Sequence, residues 1–496
     1  MPKLLIIGFD GGTWNILLPL IEKGKMPTLK RLMDEGKWGT LLSTDPPLTP
    51  PAWTTFQTGV SPKEHGILDF VLYNPESYYE PIFFNSTLIR HKTLWEILNE
   101  NQISVISIGL PGTYPPPKIK NAVVSDLLTP SLKSDFIYPK ELKKEFLEKF
   151  PQYKFVVDQG EIIQSSLSKF IQKLIEVERQ RVNVFNFLYK KFPETQVGFV
   201  QFQSIDNLQH ALYPFIDPKD EEFSKSIWEK ASQFYQSIDE NIKNLLEIFK
   251  PSHVIVLSDH GFGKTKGIVY LNKIFERKKL LKRKETLKSF LIDSLKKIDI
   301  FQLRKKIFSR ETREKMLSDV NKKRIDWKKT FVFMHSGSQG ANICFNLGIL
   351  KKEEVEKFSF EVKKILENIS NPFTEEKIVK KIYFKKDISS PYAPDLFVSA
   401  NDGYVFSRSF TSKNWFEKLY GLKNPNRGYH YKEGVFVIKN FPSQPTKIEE
   451  IPKLILELFK IKKEKFFLNK KTKKEIREKK DEREEIEKRL KSLGYF

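Results

Sequence analysis

Cysteine is the scarcest residue of this 496-residue chain, with Cys344 its sole example. A disulfide framework within the chain is therefore excluded, and the usage fits a reducing, cytoplasmic compartment. Cys344 stands in the apolar run ANICFNL, where a buried packing role is expected. Long apolar runs are missing as well, since none approaches the roughly 20 residues that a membrane helix needs. The opening MPKLLIIGFD has too short an apolar stretch for a secretory signal and reads as a first strand. Histidine is sparse, at seven residues, and acidic residues are outnumbered 62 to 85, giving a net charge of +23.

That charge is uneven. Residues 264–329 hold 23 basic against 8 acidic side chains, and residues 462–496 hold 14 against 8. Blocks of this kind can attract an anionic membrane surface, nucleic acid or a polyphosphate, or can simply be solvated surface. KIFERKKLLKRKETLKSFLIDSLKKIDIFQLRKKIF, within the first block, reads as basic amphipathic helices, expected as an insertion over 264–330. The tail 462–496, with many i,i+4 charge pairs, reads as a solvated helix.

Elsewhere short apolar runs alternate with helical periodicity, the pattern of an α/β sandwich. KLLIIGF, ISVISIG, QVGFVQF and HVIVLS read as strands, and helices are expected over 166–192 and 221–249. The pattern resumes after the basic block at TFVFMHSGSQGANICFNL, two strands joined by a Ser/Gly turn. One catalytic domain formed by 1–263 and 331–461, interrupted by the insertion, is the expected organisation.

The scarce histidines fall in telling places. Asp10 ends the first strand, Asp206 and His210 follow QVGFVQFQSI, Asp259 and His260 follow HVIVLS, and His430 precedes GVFVI. Carboxylate oxygens and imidazole nitrogens suit divalent cations of the zinc type, and three of each could hold two ions. Asp206 and His210, four apart, share a face if their stretch is helical. A further candidate is Thr49 in Leu48-Thr49-Pro50-Pro51-Ala52-Trp53, at an expected helix N-cap. A helix N-terminus offers free N–H groups and a positive dipole end to phosphate, and a metal could activate the hydroxyl. The same residues would also serve as a plain structural cap.

Together these blocks resemble the alkaline phosphatase superfamily, in its type I phosphodiesterase and nucleotide pyrophosphatase branch, near its predicted phosphohydrolases and phosphomutases. The resemblance runs through Asp10, Thr49 to Gly59, Ser61 to Gly66, Asp206 with His210, Asp259 to Gly261, and Gly428 to His430. It implies an alkaline-phosphatase-like sandwich with a mostly parallel central sheet flanked by helices. It also implies a two-metal hydrolase of phosphoric esters, a phosphodiesterase or a phosphomonoesterase, with zinc expected and manganese the alternative. Asp10, Asp259 and His260 would bind one ion together with the Thr49 alkoxide. Asp206, His210 and His430 would bind the ion that steadies the leaving oxygen. His65, in a family-typical block, is expected to be structural.

Two departures bear on specificity. Nucleotide pyrophosphatases usually place an Asn donor soon after the His-Gly pair, where this chain has Phe70. Sulfatases would carry Cys or Ser followed by Pro and Arg, where Thr49 and Trp53 stand. The competing readings are a phosphomutase-like member of the superfamily and a basic nucleic-acid or membrane-surface binding protein with an inactive site. The loops 109–116 and 336–340 each follow a strand and could border the substrate.

Overall fold

The computed structural model describes residues 2–77, 80–157, 166–284, 325–410, 412–420, 426–462 and 480–493. Its centre is an eight-stranded sheet, labelled here β1 (Leu4–Phe9), β2 (Lys37–Leu42), β3 (Val105–Ile108), β4 (Asn121–Val124), β5 (Ile137–Tyr138), β6 (Val197–Phe202), β7 (His253–Ser258) and β8 (Glu433–Lys439). Their spatial order is β2-β8-β7-β1-β6-β3-β4-β5. The five strands from β7 to β4 are parallel, while β8 and β5 run antiparallel to their neighbours. Strand side chains alternate between two faces. In β1, Leu4 and Ile6 enter one core, and Leu5, Ile7 and Phe9 enter the other. Both faces are therefore covered, as a parallel sheet requires.

On one face pack α2 (Leu167–Lys191), α3 (Ser204–Ile216) and α4 (Lys225–Phe249). The other face carries α1 (Thr49–Thr58), through Ala52, Trp53 and Phe56, and a helix at Ile451–Leu458. The two long helices expected over 166–192 and 221–249 thus appear almost as anticipated. A second core lies around an antiparallel sheet in which Val332–Gly337, Gly340–Phe345, Leu396–Ala400 and Val379–Phe384 are adjacent in that order. Cys344 is fully buried there, and burial pushes its thiol well up, in keeping with packing.

The expected insertion boundaries move inward. Residues 267–270 form a strand paired with Tyr404–Ser407, and Leu271–Arg277 is a helix. Val269, Leu271, Phe275, Leu281 and Ile325 belong to the second core, because their apolar side chains outweigh the lysines around them. The anionic-membrane or nucleic-acid contact expected of this region rests mainly on residues 285–324, which lie outside the described residues. The tail is corrected too: Lys480–Ser492 is helical, but it is not solvated all round. Ile486, Leu490 and Leu493 pack with Ile67, Phe70 and Leu128, and the Arg489 guanidinium donates to the carbonyls of Leu127, Thr129 and Pro130. Among the described residues, no helix is long and apolar enough to cross a membrane.

Candidate metal and phosphoryl-transfer site

Side chains converge beyond the C-terminal ends of β1, β6 and β7, where parallel sheets present ligands. Asp10 follows β1, Asp259 and His260 follow β7, and α3, entered straight from β6, carries Asp206 and His210 one turn apart. His430 arrives on the strand Gly428–Tyr431, which pairs antiparallel with Gly261–Lys264 and so lies directly opposite Phe262. Gly11 turns the chain after Asp10 with a positive φ of 70°, and a Cβ there would press on the Phe262 ring at 2.6 Å.

Asp10, Asp206, Asp259, His210, His260, His430 and Thr49 are all fully buried. In one group, His260 Nε2 lies 3.5 Å from Asp10 Oδ1 and 3.4 Å from Asp259 Oδ2. Thr49 Oγ1 is 3.5 Å from both Asp10 Oδ1 and His260 Nε2. In the other group, Asp206 Oδ1 is 3.3 Å from His210 Nε2 and 3.1 Å from His430 Nε2, and the two imidazole nitrogens are 3.0 Å apart. Asp206 also comes within 4.8 Å of the ligand atoms of Asp10 and His260, so the groups share it. The His260 and His430 rings stack with centroids 3.8 Å apart. All seven residues singled out in the sequence thus meet in one cluster.

Donor chemistry shows why cations fit. His210 Nδ1 faces the Gly428 carbonyl at 2.9 Å, and His260 Nδ1 faces that of Gly261 at 3.0 Å. A carbonyl only accepts, so each Nδ1 carries the proton, and the inward Nε2 of a neutral ring presents a lone pair. Lone pairs and carboxylate oxygens then face one another without a positive charge between them. Asp259 Oδ2 completes no hydrogen bond. A proton or a cation must lie among these atoms, and six carboxylate and imidazole ligands suit divalent ions.

The electrostatics agree. Burial, reinforced by Asp10, raises the Asp259 carboxyl well above its ordinary range, and burial also raises Asp10. Burial opposes charge on His260, yet the Asp259 and Asp10 carboxylates overcome it and raise the imidazole to about 9. The metal-free protein therefore holds a proton on His260 below about pH 9, and a cation entering that group must expel it. Zinc affinity for that group should rise close to tenfold per pH unit from pH 6 to 8. Competition titrations with a chromogenic chelator at fixed pH would measure it, and a flat profile would contradict it.

Supporting residues escaped the sequence reading. Gln201 Nε2 donates to Asp10 Oδ2 at 2.6 Å, and Gln209 Nε2 donates to the Gly11 carbonyl at 2.6 Å. Glu178 Oε1 accepts from the Ser204 N–H at 2.7 Å and so anchors the start of α3, while Arg181 neutralises it from 3.1 Å. Gln201 left a signal, a polar residue inside the apolar run VGFVQF. Gln209 and Glu178 left none, because their partners are remote in sequence.

Thr49 is the first residue of α1 rather than its N-cap. Leu48 holds the extended cap conformation and its carbonyl accepts from the Ala52 N–H at 3.0 Å. Pro50 and Pro51 have no N–H, which leaves that of Thr49 as the donor the first turn can offer an anion. His65 is a tie, as expected: Nδ1 accepts from the Ile67 N–H at 3.1 Å and Nε2 meets Thr55 Oγ1 at 3.1 Å. Burial holds its pKa down to about 3, so the ring is neutral. Loop 109–116 is held by Gln57, which donates to the Pro111 carbonyl at 2.7 Å, and Phe70 is fully buried.

Residues 4–430 match the family of type I phosphodiesterases and nucleotide pyrophosphatases. The chain belongs to that family. It is accordingly a hydrolase of phosphoric esters within the alkaline phosphatase superfamily. Among solved structures, phosphonoacetate hydrolase from Sinorhizobium meliloti 1021 in complex with phosphonoformate is similar, with 14% identity, a TM-score of 0.54, and coverage of 91% of this chain and 94% of that one. Murine ectonucleotide pyrophosphatase/phosphodiesterase 5, an inactive variant in complex with AMP, is similar at 14% identity and a TM-score of 0.51, covering 93% of this chain and 96% of that one. At such identity the likeness shows a shared fold. No curated protein matches the sequence.

One buried acid of this hydrolase has a measurable consequence for stability. Asp69 is buried beside the site, and burial raises its pKa from 3.8 to about 7 despite hydrogen bonds from the Phe70 and Val71 N–H groups. The folded protein keeps this proton where the unfolded chain has lost it. Its contribution is therefore complete below about pH 4 and is lost as pH rises through 7, on the order of 4 kcal/mol in all. Asp69→Asn should flatten that part of the stability profile and denature later than the wild type at pH 8. Urea titrations at pH 5 and 8 would show it, and an unchanged slope would refute it.

Proposed function

We propose that the chain hydrolyses phosphoric esters by way of a covalent phospho-threonine at Thr49. The observation that carries this reading is the place of Thr49 Oγ1, 3.5 Å from both Asp10 and His260 at the start of a helix. In the first half-reaction Oγ1 bonds to phosphorus, the ester oxygen departs, and the threonine proton passes to bulk solvent. Water then attacks phosphorus, the P–Oγ1 bond breaks, and Thr49 recovers a proton. The Thr49 N–H points a donor at the transferred group, Gln201 orients Asp10, and Glu178 fixes the helix bearing Asp206 and His210.

Asp10, Asp259 and His260 would hold one divalent ion, and Asp206, His210 and His430 a second. When bound, such ions lower the pKa of hydroxyl and water and offset charge on both oxygens of an in-line displacement. Zinc matches the mixed oxygen and nitrogen donors, with manganese the alternative. A cytoplasmic setting rests on the usage of one cysteine.

The test is a panel of aryl monoesters, aryl diesters, nucleotides and sulfate esters, assayed with Zn²⁺ and Mn²⁺. Mass spectrometry of acid-quenched enzyme should find phosphate on the peptide carrying Thr49. Turnover with no phosphorylated peptide, even under rapid quench, would refute the covalent route.

A further inference from the structure

Three segments remote in sequence meet beside His430, and each brings a buried polar group with unused hydrogen-bonding capacity. The hairpin Val332–Gly337 to Gly340–Phe345 reaches the stretch after the nucleophile helix: Asn342 Nδ2 donates to the Val71 carbonyl at 3.2 Å and to Ser336 Oγ at 2.9 Å. At the hairpin turn, Gln339 Nε2 donates to the His430 carbonyl at 2.7 Å. That bond fixes the amide's orientation, since only the nitrogen can donate, and among the described residues Oε1 is left without a partner. Tyr429 stacks on His430 with centroids 4.8 Å apart and meets the His210 ring edge-on at 5.2 Å. Its hydroxyl lies beside the Ser338 side chain, close enough for the two to interact, and among the described residues neither oxygen completes a hydrogen bond of good geometry. Asp69 lies near enough to bear on that same hydroxyl, and among the described residues its Oδ2 is also without a partner while Oδ1 accepts from the Phe70 N–H at 2.7 Å. All four residues are at most 2% exposed.

Buried polar groups are seldom left unpaired, because each costs roughly 1–3 kcal/mol, so four together point to something that binds there. The mixture says what. Gln339 Oε1, and Asp69 once its carboxyl ionises near pH 7, would repel a second phosphate or a carboxylate, and an apolar group would satisfy none of the four. A hydroxyl both donates and accepts, so it can pair with the two acceptors and with the hydroxyls of Ser338 and Tyr429. The position fits as well. Thr49 touches the Asp10 and His260 group, whereas Tyr429 and Gln339 attach to His430. In an in-line displacement the leaving oxygen lies opposite the nucleophile, on that second side.

We infer that Asp69, Ser338, Gln339 and Tyr429 form a subsite for a hydroxyl-bearing leaving group, so that the natural substrate is a phosphate ester of a polyol or sugar. The inference rests on the Thr49 mechanism proposed above. It is tested with full-length, zinc-loaded enzyme and paired esters whose leaving alcohols differ in hydroxyl content, ethyl against glyceryl, as monoesters or as symmetric diesters (diethyl against diglyceryl phosphate), whichever series turns over. The glyceryl member should have the higher kcat/KM by at least about tenfold, and Ser338→Ala and Tyr429→Phe should each shrink that ratio by about tenfold. Taking a ratio cancels any common effect on the neighbouring ligands. A wild-type ratio near one, or a ratio that survives both substitutions, would overturn the subsite and leave solvent water as its occupant. Hydrolysis that persists in Thr49→Ala would instead remove the mechanism beneath it, so the two failures are distinguishable.

Discussion

Thr49→Ala is expected to lower turnover by a factor on the order of 10⁴–10⁶, the range in which loss of a covalent nucleophile usually falls. The hydroxyl stands 3.5 Å from Asp10 and from His260. Alanine keeps the helix, since position 49 needs no cap bond: the Leu48 carbonyl already closes the first turn. Metal content should therefore stay at two ions per chain, measured by elemental analysis, while hydrolysis of any ester disappears. Thr49→Ser should retain a measurable rate, because it preserves the oxygen. An alanine variant as fast as the wild type would exclude Thr49 from the chemistry, and one that lost its metal would show that the hydroxyl is needed to retain the ion.

The seven residues of the cluster were legible in the sequence for a physical reason. Parallel sheets place functional groups beyond strand ends, and an aspartate or histidine just after an apolar run stands out against it. Asp10, Asp259 and His260 are read this way, and Asp206 and His210 add the spacing of one helical turn. Gln339, Tyr429 and Asp69 are of another kind. Each lies in an ordinary strand or turn, and its significance arises only when hairpin, strand and loop converge, which no local pattern encodes. The basic block misled for a related reason. Among so many lysines, the short apolar run at 268–271 and Phe275 fall inside the expected insertion 264–330, although the burial of Val269, Leu271 and Phe275 ties them to the second core. In the tail, Ile486, Leu490 and Leu493 follow helical spacing, but the dense charge hid that narrow stripe.

Asp206 separates a shared two-ion centre from two independent sites. Its carboxylate lies 3.1–3.3 Å from His430 and His210 and also comes within 4.8 Å of the ligand atoms of Asp10 and His260. Asp259, by contrast, approaches His260 at 3.4 Å through Oδ2, while its Oδ1 accepts from the Gly11 N–H at 3.2 Å. If both groups hold a cation, Asp259→Asn should cost one ion and leave the other. Asp206→Asn should weaken both, taking the content below one ion per chain after mild dialysis. Activity should fall by at least about 10³ in each, since removing a ligand exceeds the 10–100-fold that outer partners typically control. Gln201→Leu, which frees Asp10 Oδ2 and Gln203 Oε1, belongs in that smaller range. Should Asp206→Asn keep both ions, the carboxylate would not be shared. Should Asp259→Asn keep both as well, the convergence of these residues would have to serve something other than a pair of metals.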